Sequence, residues 1–481
     1  MLQKLTKEQF KQVYDSGFEP TFALFDKLQD AVIALEQRIA HIEAILAKDS
    51  HNSSKPPSTD GFRRPPQSLR GKSNKQPGGQ KGHDGATLLQ SETPNHIEKY
   101  RHQGNCKCGE SLDHATVLDI ARRQVLDYPE IKVEVTEHQA YTLLCSCGAL
   151  HKSDFPEGIN APVQYGTTIK ALAVYLIVQQ LLPTQRVQQI IKDLLGIELS
   201  QATLQNFTKE GYTALEPTMD TIEDRIVTSP VAHADETGCD VNKELWWIHS
   251  LSTLDYTLYR CDEHRGLDAV AVADLIAQFR GRLIHDGWKS YLHYVCEHGL
   301  CNAHHLRELV FIDEHLKEKW AKKMKDLLLT IKDAVENACK KKRKSLPESQ
   351  KNKFRRHYLA IIREGLAAQP PPIKRKPGQR GKIKQPPGKN LLDRLKTHID
   401  ETLAFMYDFS VPFTNNLAER DLRMVKVKLK VSGCFRTPLG AQVFCRVRSF
   451  LSTLRKQKLD ILKNIQKMFE PNAQNVSLLP V

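Results

Sequence analysis

Apolar positions along this chain change their period several times, and each change marks a different kind of element. Phe25, Leu28, Val32, Leu35, Ile39, Ile42 and Leu46 alternate spacings of three and four. That is an a/d seam held for three heptads. No other apolar face competes with it across residues 21–47, so the pattern favours a coiled coil joining protomers over a helix packed on its own chain. From 49 to 95 the periodicity vanishes into Pro, Gly, Ser, Lys and Arg, beginning Asn52-Ser53-Ser54-Lys55-Pro56-Pro57. Such a stretch cannot bury a core and is expected to be a flexible linker. A helical texture returns over 161–226. The apolar run Ile169 to Leu182 is stopped by Pro183. Gln185 to Leu195 follows, then Gly196, then Ser200 as N-cap of a helix through Glu210. The last pair is similar to a helix-turn-helix, although most such pairs only pack.

Residues 228–310 switch to an α/β pattern. Strands are expected at Val231 to Asp235, Leu245 to Ser250 and Tyr256 to Arg260, and a helix from Leu267 to Phe279. A strand ending at Asp286, a short helix around Tyr291 and a strand near Leu300 complete the set. Three strands, a helix, then strand-helix-strand is the order of an RNase H-like α/β core. It sets Asp235 and Asp286 on adjacent central strands. Residues 311–400 interrupt this core with helical, basic sequence, including Lys340 to Lys344 and a Gly/Pro-rich stretch from Lys374 to Lys389. Helices at Asn415 to Val425 and Gln442 to Arg455 resume it. The expected division is a helical N-terminus (1–48), basic linker (49–95), zinc-ribbon-like module (96–157) and helical domain (158–227). The core (228–310), helical insertion (311–400), second part of the core (401–468) and tail (469–481) follow.

Composition narrows the partner. The 481 residues carry a net charge of +14, clustered rather than spread. Lys55, Arg63, Arg64, Arg70, Lys72, Lys75 and Lys81 crowd the linker against Asp60 and Asp84. A clustered basic balance favours nucleic acid. No apolar run reaches eighteen residues, and the N-terminus lacks a signal-peptide core, so neither a membrane span nor export is expected. An odd count of eleven scattered cysteines suits a reducing cytoplasm.

Two groups of residues carry candidate chemistry. Cys106-Lys107-Cys108-Gly109 and Cys145-Ser146-Cys147-Gly148 are matched knuckles with the strand-like Ile131 to Val135 between them. Four thiolates would make a structural zinc site. The duplication favours zinc over four free thiols, although one intervening residue is tighter than the usual spacing. The second group is acidic. Val231-Ala232-His233-Ala234-Asp235 and Arg282-Leu283-Ile284-His285-Asp286 are apolar runs that end in a carboxylate, and Glu419 opens a helix. Three converging carboxylates hold hard divalent cations through oxygen. Glu236 alternates to the other face of its strand and is left out. Cys301 and His304, spaced i and i+3, are read as packing or orienting the loop rather than binding metal. Trp246 and Trp247 read as core, and Trp288 as a platform on which a base could stack. Arg420, Arg423, Lys426, Lys428, Lys430 and Arg436 follow Glu419 with only Asp421 opposing, and are expected to meet DNA phosphates.

The ordered set His233-Ala234-Asp235-Glu236-Thr237, Asp286-Gly287, Cys301-Asn302-Ala303-His304 and Asn415-Asn416-Leu417-Ala418-Glu419-Arg420 resembles the transposases of the insertion sequence 66 family. Ser432-Gly433-Cys434-Phe435-Arg436-Thr437, the linker, the knuckles and the heptad helix are similar too. The resemblance implies a DDE triad of Asp235, Asp286 and Glu419 that holds two Mg2+ (or Mn2+) ions, with structural Zn2+ in the knuckles. It implies binding of terminal inverted repeats, cleavage there, and strand transfer into target DNA. It also implies a homo-oligomer on DNA and accessory proteins of the same element. Two other readings stay open: a nuclease of the same fold without joining activity, and a zinc-ribbon DNA-binding regulator with a vestigial core.

Overall fold

The computed structural model describes residues 6–49, 52–53, 88–129, 131–370, 385–470 and 478. Most of the basic linker and residues 371–384 of the Gly/Pro-rich stretch lie outside the described residues. The chain divides into two compact units, one of Met1–Ser68 with Gln139–Val481, the other of Leu69–His138.

The larger unit opens with α1 (Lys7–Asp15), started by a capping box between Thr6 and Gln9. Helix α2 (Phe18–Leu46) carries the heptad seam. All seven seam residues are exposed, between 46 and 78 %. Its C-terminal end is tied down. Asn52 Nδ2 donates to the Ala47 carbonyl at 3.0 Å and lies 3.1 Å from His315 Nε2. Strands β1 (Thr142–Leu144) and β2 (Leu150–Lys152) form an antiparallel hairpin around the second cysteine knuckle. The strand expected at Ile131 to Val135 is not formed. Ile131, Val133 and Val135 are all exposed, so their alternation has no buried face to serve.

Helix α3 (Thr167–Val174) runs into a π-helical turn, Tyr175–Gln179. The expected stop at Pro183 is seen, and α4 (Thr184–Leu195) begins there. Gly196 closes α4 at φ +67°, a left-handed conformation that glycine adopts without strain. Ser200 caps α5 (Gln201–Ala214) by accepting from the Thr203 amide at 3.0 Å. Helix α6 (Glu216–Val227) then leads into the sheet.

Five strands make one mixed sheet. They are β3 (Val231–Val241), β4 (Glu244–Ser252), β5 (Thr257–Asp262), β6 (Arg282–His285) and β7 (Glu297–Leu300), with α7 (Val270–Gln278) between β5 and β6. The order is β5-β4-β3-β6-β7. The β3–β4 and β4–β5 pairs are antiparallel; β3–β6 and β6–β7 are parallel. Alternation along β3 splits the core. Ala232 and Ala234 join Leu251, Leu258 and residues of α6 and α7 on one face. Cys239 and Val241 join Ile248, Tyr259 and a long C-terminal helix on the other.

After β7 the chain leaves the sheet for α8 (Asn302–Leu316), α9 (Lys319–Lys340), α10 (Glu348–Ala367), α11 (Pro387–Thr397), α12 (Ile399–Thr402) and α13 (Ala404–Tyr407). These helices bury a core of their own around Trp320, Met324, Ile331, Tyr358 and Leu392. The chain returns with α14 (Asn416–Ser432), α15 (Pro438–Lys456) and α16 (Ile461–Lys467). Helix α15 protects the edge of the sheet. Ser449 and Thr453 hydroxyls accept from the outward amides of Tyr259 and Thr257 at 2.8 and 3.1 Å. Those amides would otherwise be open to pairing with another strand. No helix among the described residues is long and apolar enough to cross a membrane.

One buried cation holds the π-helical turn to α15. Arg448 Nη1 lies 3.1 and 3.2 Å from the Val178 and Gln179 carbonyls and 2.9 Å from Gln179 Oε1. Leucine in its place would leave those acceptors buried and unpaired. Arg448→Leu should therefore lower the unfolding free energy by about 3 kcal/mol, from about 1–3 kcal/mol for each buried unsatisfied group. Urea denaturation checks this, and an unchanged midpoint would contradict it.

Candidate active site

The parallel β3–β6 ladder pairs Val231 with Arg282, Ala232 with Leu283 and His233 with Ile284. The same register carried onward sets Asp235 beside Asp286. Strand β6 ends one residue earlier, at His285, while β3 continues along β4. Asp235 thus sits where the sheet opens. Asp286 begins a tight turn in which its Oδ1 accepts from the Trp288 amide at 2.8 Å. Gly287 takes φ +91°, which a side chain there would strain. Its amide donates to His285 Nδ1 at 3.1 Å. His285 therefore carries its proton on Nε2, which faces His298 Nδ1 at 3.2 Å. Burial holds His285 well below the usual histidine range, at about 3, so the ring stays neutral while it braces the turn.

Glu419 lies in the first turn of α14. The residue before that helix, Asn415, is fully buried and fixes it in three directions. Its Nδ2 donates to the Ala234 carbonyl at 2.8 Å, and its Oδ1 lies 2.8 Å from His233 Nδ1. Its backbone amide points at Cys301 Sγ, 3.1 Å away. One asparagine therefore ties the Glu419 helix to the strand that carries Asp235 and to the chain entering α8.

The electrostatics report the crowding. Burial first, then the charges of Glu236, Asp286 and Glu419, push the Asp235 carboxyl up to about 8. Glu236 belongs to the opposite face. It pairs with Arg265 at 2.7 Å and accepts the Tyr291 hydroxyl. The Arg265 guanidinium lies 4.5 and 4.0 Å from the ring centroids of Trp247 and Trp288. Trp288 thus already stacks, on an arginine. Trp246 packs against the core and Trp247 against Arg265.

The oxygens of Asp235, Asp286 and Glu419 do not form a group within 4.8 Å of one another. Among the described residues, the group that does is Cys301, His304 and Glu419. Glu419 Oε1 lies 4.0 Å from Cys301 Sγ and 3.9 Å from His304 Nδ1. The spacing of Cys301 and His304 was visible in the sequence. The approach of Cys301 to Glu419, 118 positions away along the chain, was not, nor was that of His304.

The basic residues after Glu419 share one helix and its exit. Arg420, Arg423, Lys426, Lys430 and Arg436 are exposed. Lys428 is half-buried, and burial lowers its pKa. Asp421, the one nearby acid, faces inward. It accepts from Ser252 and Thr257 hydroxyls at 2.7 and 3.1 Å and pairs with Lys456 at 2.9 Å. The exposed cations are left without its opposing charge.

Each cysteine knuckle forms the same local turn. The Cys106 amide donates to Glu110 and Gly109 donates back to Cys106, both at 2.8 Å. Cys145, Ala149 and Gly148 repeat this at the same distances. Gly109 and Gly148 take φ +92° and +83°. The amide of Cys108 lowers the pKa of Cys106, and that of Cys147 lowers the pKa of Cys145. Cys106 and Cys108 belong to the smaller unit, Cys145 and Cys147 to the larger.

Residues 162–443, more than half of the chain, match the family described as Transposase IS66 family. The chain belongs to that family of transposases, and the match includes all three carboxylates, Asn415, Cys301 and His304. Residues 15–88 match a family of unknown function. No curated protein matches the chain.

The raised Asp235 pKa has a consequence for stability. Between the ordinary carboxylate range and about pH 8, the folded chain keeps a proton that the unfolded chain has lost. Without metal, stability contributed at acid pH is therefore lost as the pH rises towards about 8. Asp235→Asn should flatten this loss, melting above the parent near pH 8 and converging with it at acid pH. Thermal melts in chelator across that interval check it, and parallel curves for parent and variant would contradict it.

Proposed function

We propose that this transposase binds the terminal inverted repeats of its element, cleaves the DNA there, and joins the freed 3′-hydroxyl to target DNA. Family membership carries the reading. The register of Asp235 against Asp286 and the clamped helix bearing Glu419 support it. The sheet order β5-β4-β3-β6-β7, with two antiparallel and two parallel pairs, supports an RNase H-like core with residues 311–400 as its helical insertion.

Asp235, Asp286 and Glu419 are the DDE triad in this reading. An all-oxygen carboxylate set suits Mg2+ or Mn2+. The mutual repulsion that raises Asp235 is what a bound cation would relieve. Two such ions supply Lewis-acid stabilisation of the attacking and leaving oxygens of a phosphodiester. The chain's own part is placement. The parallel register sets the two aspartates side by side, and His285 braces the Asp286 turn. Asn415 presents Glu419, and Arg420, Arg423, Lys426, Lys430 and Arg436 neutralise DNA phosphates beside them, with Lys428 behind.

The matched local turns of the two knuckles support a zinc role for Cys106, Cys108, Cys145 and Cys147. Among the described residues of the smaller unit, Leu89, Tyr100 and Val125 are exposed, and a small unit with little buried apolar surface needs another source of stability. Thiolates bound to zinc would supply it. The exposed seam of α2 supports association of copies on DNA through a coiled coil.

Asp235→Ala, Asp286→Ala and Glu419→Ala should each abolish cleavage and joining of an end-bearing DNA in Mg2+ while leaving end binding within a few-fold. Gel assays of cleavage, strand transfer and binding check this together. Joining by any purified variant would overturn the triad. Cleavage without joining in the parent would favour the nuclease, and binding without metal-dependent nicking the regulator.

A further inference from the structure

Glu419 has neighbours that a carboxylate-only site does not need. Cys301 immediately precedes α8, and His304 lies in its first turn, so both project from one face. The chain entering α8 is held by the Cys301 amide on the His285 carbonyl at 2.9 Å and by the Asn302 amide on the Phe413 carbonyl at 3.1 Å. Cys301 is fully buried and its sulfur faces the Asn415 amide. His304 Nδ1 is buried with no hydrogen-bond partner, an arrangement that costs free energy unless something else occupies its lone pair. The side chains of His304 and Glu419 keep 17 and 25 % of their surface exposed, so the group opens to solvent on one side.

We propose that Cys301, His304 and Glu419 form a second kind of metal site, for one borderline ion of the Zn2+ or Co2+ class. Sulfur, imidazole nitrogen and carboxylate together select such ions over Mg2+. Three protein ligands with an open fourth position is the arrangement of a solvent-accessible zinc centre. Bonds of about 2.0–2.3 Å require the donors to close in by roughly half an ångström from their present separations of 3.9 and 4.0 Å. Glu419 also belongs to the carboxylate triad proposed above, so an ion here and the ions of that triad share one ligand. Metal binding at this group does not itself depend on that triad being active.

The test uses the full-length chain equilibrated with Zn2+ and, separately, with Co2+. Elemental analysis should find one fewer equivalent of Zn2+ in His304→Gln than in the parent, with the parent's amount retained in Asp235→Asn. With Co2+, Cys301→Ser should lose part of the near-ultraviolet thiolate-to-cobalt absorption, measured as a difference spectrum so that the knuckle cysteines cancel. Circular dichroism confirms that each variant is folded, and the Cys301→Ser spectrum carries the test if His304→Gln is not. Unchanged metal content in His304→Gln with an unchanged Cys301→Ser spectrum would overturn the site. So would an equal loss in Asp235→Asn, which would place the ion among the aspartates. A chain that binds the ion yet fails to cleave DNA would leave this site standing and remove only the transposition reading.

Discussion

The three bonds made by Asn415 tie the helix bearing Glu419 to the sheet bearing Asp235. The sheet brings Asp235 and Asp286 side by side through one register, with no help from distant sequence. Glu419 arrives only after the chain has left the sheet and passed through six helices. Asn415 absorbs that detour. It ends on the Ala234 carbonyl, the His233 ring and the Cys301 sulfur, all buried. Inside a protein each of these polar groups is costly if left unpaired, so the junction has one well-satisfied arrangement and few competitors.

Charge is sorted by the same elements. Along β3, Asp235 faces α14 while Glu236 turns to Arg265 and Tyr291 behind the sheet. Along α14, Asp421 turns inward to Ser252, Thr257 and Lys456, and the arginines and lysines turn outward. Negative charge is concentrated where Asp235, Asp286 and Glu419 approach one another, and positive charge lies next to it on the outer face of α14. A sheet's period of two and a helix's period of 3.6 do this sorting without any further device.

Much of this was legible in the sequence. The strand order, the helical interruption, the stop at Pro183 and the Ser200 cap all follow from local patterns, and local patterns are what sequence displays. Asn415 was expected to begin a helix and carried the family resemblance, but its partners were not visible. Those partners lie 181 and 114 positions away. In the sequence Asp421 opposes the basic run beside it, because its buried partners Ser252 and Thr257 lie 169 and 164 positions away. Ile131 to Val135 misled for the opposite reason. Its alternation is real, but Ile131, Val133 and Val135 are all exposed. The closeness of Cys301 and His304 to Glu419 was a fact of tertiary packing alone.

The account rests on one shared place for three carboxylates. Anomalous diffraction from Mn2+ in crystals of the full-length chain bound to an end of its element tests it most directly. The account predicts two ions about 4 Å apart, contacted by Asp235, Asp286 and Glu419. Ions bound elsewhere, or carboxylates that stay too far apart to share them with DNA in place, would contradict it.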